Sequence, residues 1–118
     1  MGFFALYSNV SGCYNIAIGN SALSANTGSG NVAIGSSAGG SNTTGSGTAI
    51  GYQALTANTT GQGNTAVGLN SLLSNTTSSN NTAIGAQALY YSTGQSNTAV
   101  GSKALIGNTT GQYNTSIS

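Results

Sequence analysis

The chain contains no aspartate, glutamate, histidine, arginine, proline or tryptophan, and only one lysine and one cysteine in 118 residues. Each absence closes a route to chemistry. General acid–base catalysis needs a positioned carboxylate or imidazole, and an activated nucleophile needs such a partner beside it. Calcium and magnesium need acidic oxygen ligands, and zinc needs several Cys or His ligands where this chain offers Cys13 alone. Phosphate-backbone binding needs a basic patch, which Lys103 by itself does not make. The sequence therefore predicts no enzyme activity, no cofactor, no metal and no nucleic-acid partner. No run approaches the roughly 20 apolar residues of a membrane helix, so no membrane insertion by a helix is expected. The apolar start Met1-Gly2-Phe3-Phe4-Ala5-Leu6 has no basic region before it and is already in phase with the repeat described next, so it does not read as a targeting segment.

What remains is mainly Gly, Ser, Thr, Asn and Ala with a modest aliphatic fraction. Such a composition suits a disordered tract, but the apolar residues fall on a strict period. Ala-Ile/Val-Gly recurs with its glycines at Gly19, Gly35, Gly51, Gly68, Gly85 and Gly101, in steps of 16 or 17 residues. Ser116-Ile117-Ser118 is a variant copy. Seven units of the form Gly-x-x-Ala-Leu-x-x-Asn-Thr-Thr-Gly-x-x-Asn-Thr-Ala-Ile account for residues 1–118 as a single domain. One asparagine column runs Asn9, Asn26, Asn42, Asn58, Asn75 and Asn108, with Ser92 interrupting it; a second runs Asn15, Asn31, Asn64, Asn81, Asn97 and Asn114, with Gly47 interrupting it. The two columns lie five or six residues apart, which alone produces the 16-versus-17 variation. Length change confined to one segment marks a surface loop.

A unit this short, with two apolar clusters each followed by a turn, is one coil of an all-β parallel β-solenoid, a β-roll of about seven 16–17-residue coils. It is too short for a helix pair and rich in poor helix formers. Strand alternation in Thr-Ala-Ile puts Ala on one face and Thr and Ile on the other, and in Ala-Leu it sends the two side chains to opposite faces. The expected interior ladder is Ile18, Ile34, Ile50, Val67, Ile84, Val100 and Ile117 with Leu23, Leu55, Leu72, Leu89 and Leu105. The Ala17, Ala33, Ala49, Ala66, Ala83 and Ala99 column is then the face for close approach between subunits, although alternation alone allows the reverse. A lone chain would bury little apolar surface for the backbone it orders, so the second apolar face predicts lateral self-association. Coils stack about 4.8 Å apart, giving a rod of roughly 34 Å in which asparagines hydrogen-bond from coil to coil and accept the left-handed conformations of turns. The repeated glycine suits a positive φ or a close backbone approach. Stacking also explains the missing charge, since a repeated ion would meet its own copy at about 5 Å.

The Asn-Thr-Ala-Ile/Val-Gly-x-x-Ala core resembles the head repeats of trimeric autotransporter adhesins, and the longer Ala-Leu-x-x-Asn-Thr-Thr-Gly unit resembles repeat tracts of phage tail fibres and other secreted fibres. The likeness spans all seven units. It implies a left-handed parallel β-roll, assembled as a trimer, displayed outside the cell or on a virion and used for attachment. The adhesins' own units are shorter, and their neck, stalk and anchor have no counterpart here.

Three functions follow: a structural fibre subunit, an adhesive head binding glycans or other receptors weakly and multivalently, and an ice-binding solenoid. The last draws on threonine pairs such as Thr43-Thr44 and Thr59-Thr60, which fall in the variable loop and not on a strand. Tyr7, Tyr52, Tyr90, Tyr91 and Tyr113 lie outside the core columns; packing between subunits is the favoured reading over stacking on sugars. Cys13 reads as an unpaired, partly exposed thiol, with an intersubunit disulfide or thioether as the alternative, and Lys103 reads as a solvated surface residue. Asn-x-Ser/Thr sequons at Asn9, Asn42, Asn58, Asn75, Asn80, Asn108 and Asn114 arise from the repeat itself, leaving glycosylation open. No charged or proline-bearing cap is visible, so Met1, Gly2 and Phe3 at one end and Ile117 and Ser118 at the other are expected to stack head to tail.

Overall fold

The computed structural model describes residues 2–118; the part of the axial junction that falls on Met1 lies outside the described residues. Seven short strands, β1 (Ile16–Ile18), β2 (Val32–Ile34), β3 (Ser46–Ile50), β4 (Gln62–Val67), β5 (Thr82–Ile84), β6 (Thr98–Val100) and β7 (Thr115–Ile117), form one sheet in chain order. All neighbouring pairs are parallel, and the register sets alanine on alanine from Ala17↔Ala33 to Ala83↔Ala99, ending at Ala99↔Ser116. The chain is thus an all-β solenoid, one strand per repeat. Its extents of 37 × 20 × 17 Å match the rod expected from stacking coils at the strand spacing.

Strands β1 to β6 each end at the repeat glycine, and β7 at Ser118. Gly35 adopts φ +133°, and a Cβ on it would lie 2.5 Å from the Gly51 carbonyl oxygen of the next coil. Both reasons expected for this column therefore apply at once: a backbone conformation that side chains avoid, and a backbone stacked on backbone.

The Ala-Leu segment is not a strand. It lies in a run of overlapping turns, closed in the second coil by Ala22 N–H donating to Gly19 O (3.3 Å), Ser24 N–H to Ser21 O (3.3 Å) and Asn26 N–H to Leu23 O (3.1 Å). Ser21 and Leu23 take φ of 57° and 50°, as the third residue of a type II turn requires. The intervening amides bond between coils, Leu23 N–H to Ala38 O at 3.0 Å and Ser37 N–H to Asn20 O at 2.8 Å. Alternating the sign of φ removes the two-faced geometry of a strand, so neighbouring Ala22 and Leu23 both point inward and both are buried.

This corrects the expected interior. Leu23, Leu55, Leu72 and Leu89 are buried and Leu105 packs half-buried against them, as expected, but the strand residues facing them are alanines. Ala17, Ala33, Ala49, Ala66, Ala83 and Ala99, assigned above to contact between subunits, are buried inside their own coil. Ile18, Ile34, Ile84 and Ile117, assigned to the interior ladder, are exposed, and Ile50, Val67 and Val100 are half-buried on the outer face. The reason is volume. A full coil such as the fourth already places Leu55, Ala54, Asn58 and Asn64 inside, leaving room opposite the leucine for the methyl group of an alanine and not for a second branched chain; where the third coil has Gly39 for leucine, Leu23 of the coil before leans toward it, 3.0 Å from where a Cβ on Gly39 would stand.

Candidate functional site

The feature the fold presents most completely is the outer face of the sheet. Because side chains alternate along a strand, burying the alanines turns their neighbours outward in two rows. One row is Ile16, Val32, Thr48, Thr65, Thr82 and Thr98; the other is Ile18, Ile34, Ile50, Val67, Ile84 and Val100. Ile18 is 47%, Ile34 37% and Ile84 41% exposed, high values for β-branched residues in a parallel sheet, whose faces are ordinarily covered. No charge interrupts either row.

Two asparagine columns hold this face in register, and they do so differently. In the first, amide bonds amide along the axis: Asn42 Nδ2 donates to Asn26 Oδ1 (2.8 Å), Asn58 to Asn42 (3.0 Å) and Asn75 to Asn58 (3.0 Å). The same Nδ2 groups close their own loops, Asn42 onto Gly45 O (3.1 Å) and Asn58 onto Gly61 O (3.0 Å). At Ser92 the chain of amides stops: Asn108 Nδ2 closes its own loop onto Gly111 O (3.1 Å) and along the axis meets the Ser92 hydroxyl at 3.5 Å. In the second column, side chain bonds backbone. The Oδ1 atoms of Asn15, Asn64, Asn81 and Asn97 accept the backbone N–H of Asn31, Asn81, Asn97 and Asn114, at 2.9, 2.9, 2.9 and 3.0 Å. Their Nδ2 groups tie down loop carbonyls, among them Gly28 O and Ser78 O, both at 2.8 Å.

The ladder asparagines do not take the left-handed conformations expected of them. In the loop that role falls to the residue before the second column, as at Tyr14, Asn80, Ser96 and Tyr113. The corner there frees the asparagine to point inward, where a buried amide needs all its partners met.

The loop threonines that follow Asn26, Asn42 and Asn58 are also committed. Thr27, Thr43 and Thr59 donate their hydroxyls to the backbone carbonyls of Thr43, Thr59 and Thr76 at 3.1, 3.0 and 3.1 Å. The threonines in a regular array are those of the strand face, which pair counting in the sequence passed over; the Thr-Ala-Ile/Val alternation was the signal for them. Among the sequons, Asn42, Asn58 and Asn75 are buried in the ladder, and Asn80 is the exposed one. Cys13 is an exposed free thiol, and Lys103 is exposed. Phe3 and Ile117 of the expected axial junction are 82% and 76% exposed, and Gly2 is half-buried. No protein-family model, curated protein or solved structure matches this chain, so the likeness to adhesin head repeats rests on the Asn-Thr-Ala-Ile/Val-Gly motif alone.

Proposed function

We propose that the chain is a structural subunit of an extracellular fibre, in which coils stack along the axis and the Ile/Val–Thr face of the sheet packs against the same face of other copies. The observation that carries this reading is the uninterrupted outward Ile/Val row, running the full length of the rod. Burying an exposed apolar residue gains roughly 25 cal/mol per Å², and a copy of the same chain brings a face with the same axial spacing and no opposing charge. The adhesin resemblance makes a trimer the expected stoichiometry. A further coil of the same shape, in a longer chain or in a second copy, extends the sheet axially by the same hydrogen bonds.

Light scattering on the dilute protein tests the lateral contact, with a stable oligomer expected. Ile34→Lys with Ile84→Lys puts charge on the face without touching the interior. The double variant should remain folded by circular dichroism and run as a monomer. A wild-type protein that is already a monomer sinks the proposal.

A further inference from the structure

The fold treats one of the chain's Asn-x-Ser/Thr motifs unlike the other six. At Asn9, Asn42, Asn58, Asn75, Asn108 and Asn114 the side-chain Nδ2 is a working donor, bonded to a loop carbonyl or to a neighbouring Oδ1. Asn58 shows how closely these amides are held. Its Nδ2 donates to Asn42 Oδ1 and to Gly61 O, both at 3.0 Å, and a single carbon added as a Cβ on Gly45 would lie 2.7 Å from that nitrogen. Asn80 belongs to neither column. It stands at a loop corner with φ 63°, it is exposed, and among the described residues its side chain makes no hydrogen bond. The same corner is Gly63 in the coil before and Ser96 in the coil after, so its neighbours along the axis are small.

The hydroxyl that completes each ladder motif is separate from the ladder. In the third and fourth coils the hydrogen-bonded threonines are Thr43 and Thr59, the middle residues of their motifs. The residues that complete the motifs, Thr44 and Thr60, are exposed, as are Thr77 and Thr110 in later coils. Motif and fold can therefore be altered independently, one through the hydroxyl and the other through the asparagine.

We propose that Asn80 is an N-glycosylation site, the one motif at which the stacked coil carries a glycan, and that glycan transfer to the ladder asparagines and folding exclude each other. The donor is an oligosaccharide activated as its diphosphate. Asparagine Nδ2 forms a bond to the anomeric carbon, and the bond from that carbon to the diphosphate oxygen breaks. The diphosphate leaves with the electron pair, and Nδ2 gives up one proton. The product nitrogen keeps a single N–H and bears a polar ring. At Asn58 one N–H cannot serve both Asn42 Oδ1 and Gly61 O, so a buried acceptor goes unmet. The packed lumen also has no space for the ring. At Asn80 no bond is lost and the sugar stands in water. A chain that meets the transferase before its coils stack offers all seven motifs alike, so the order of folding and transfer decides whether the ladder forms.

The test directs the whole chain through a eukaryotic secretory host, with and without an inhibitor of synthesis of the diphosphate-linked donor. One variant keeps only the Asn80 motif, through Ser11→Ala, Thr44→Ala, Thr60→Ala, Thr77→Ala, Thr110→Ala and Ser116→Ala; the last restores the residue that Ala99 shows in its column. The other keeps only the Asn58 motif, with Thr60 left in place and Asn80→Ser, the residue of the next coil at that corner. Made without the donor, both should fold alike by circular dichroism and thermal melting. Made with it, the Asn80 variant should be secreted folded, with one glycan and an unchanged melting curve. Glycan occupancy among folded molecules, read by mass spectrometry, should be lower at Asn58 by about tenfold or more. A folded Asn58 variant bearing its glycan, an Asn80 variant left unmodified, or a glycosylated Asn80 variant that fails to fold overturns the proposal. Failure of either variant to fold without the donor also overturns it, because motif and fold would then not be separable. Neither readout depends on association between copies, so the lateral contact stands or falls separately.

Discussion

The strand side and the turn side of each coil are built from one repeat by opposite means. On the strand side the backbone is extended, and alternate side chains separate cleanly into Ala inside and Ile, Val or Thr outside. On the turn side the sign of φ alternates, and neighbours such as Ala54 and Leu55 turn inward together. The strand face is consequently uniform from coil to coil, whereas the outward residues of the turn run vary from Ser36 to Tyr52 to Leu69 without disturbing the stack. Uniformity on one side suits a contact with copies of the same chain; variation on the other shows that stacking does not depend on the outward residues of the turn run.

The two sides should answer truncation very differently. Leu72 is fully buried on the turn side, whereas Ile84 is 41% exposed on the strand side. Leu72→Ala should destabilise the protein by about 3–5 kcal/mol through the cavity it leaves. Ile84→Ala should cost well under that in chemical denaturation of a dilute sample, and should act chiefly by weakening association. If Ile84→Ala proved as costly as Leu72→Ala with the protein monomeric, the orientation of the strands would be wrong.

That orientation is also where the sequence stopped being legible. The period, the coil, the strand position, the glycine stack and the variable loop could all be read from spacing, because stacking forces identical residues into columns. Alternation of Thr-Ala-Ile says that Ala and Ile part company but not which goes inside; the volume of the lumen decides, and volume depends on how the turn run folds. Nothing local signals that run. Leucine in a left-handed conformation costs about 1–2 kcal/mol by itself, so a reading from propensity never places Leu23 or Leu89 there. The strain is offset by backbone bonds between coils, such as Leu89 N–H to Ala104 O at 3.0 Å, which exist only once coils stack.

A smaller effect is expected where the two sides meet. Gly68 ends the fourth strand with φ +133°, and an added Cβ would sit 2.6 Å from Gly85 carbonyl atoms. Gly68→Ala should cost about 1–3 kcal/mol, the usual range for a strained backbone position, with the loss read from the urea midpoint. Ser37, on the turn side, also has a positive φ of 59° but is already a non-glycine residue. A loss at Gly68 no larger than that of a surface substitution would mean that coils separate at this column more readily than the stacked glycines imply.

The smallest effect concerns the interruption in the asparagine ladder. Ser92 occupies the column of Asn42, Asn58 and Asn75 but is too short to reach its neighbours as they reach each other. Its loop has the same length as the one after Asn26, where the asparagine Nδ2 donates to Gly28 O at 2.8 Å, and Gly94 stands at the matching place after Ser92. Ser92→Asn should therefore regain bonds toward Asn75 and Asn108 and stabilise the protein by about 1 kcal/mol, the net worth of a buried amide hydrogen bond. Gly47→Asn is the contrasting substitution in the other column. There the third coil's strand slips against the fourth between Ser46 and Gly47, and a Cβ on Gly47 would lie 2.5 Å from Asn64 O. Filling that gap should destabilise, because the backbone has already closed over the missing side chain. Thermal melts of both variants decide it: a rise for Ser92→Asn and a fall for Gly47→Asn are expected. A rise for both would mean that the ladder tolerates an asparagine at any coil and that backbone register, not side-chain space, yields.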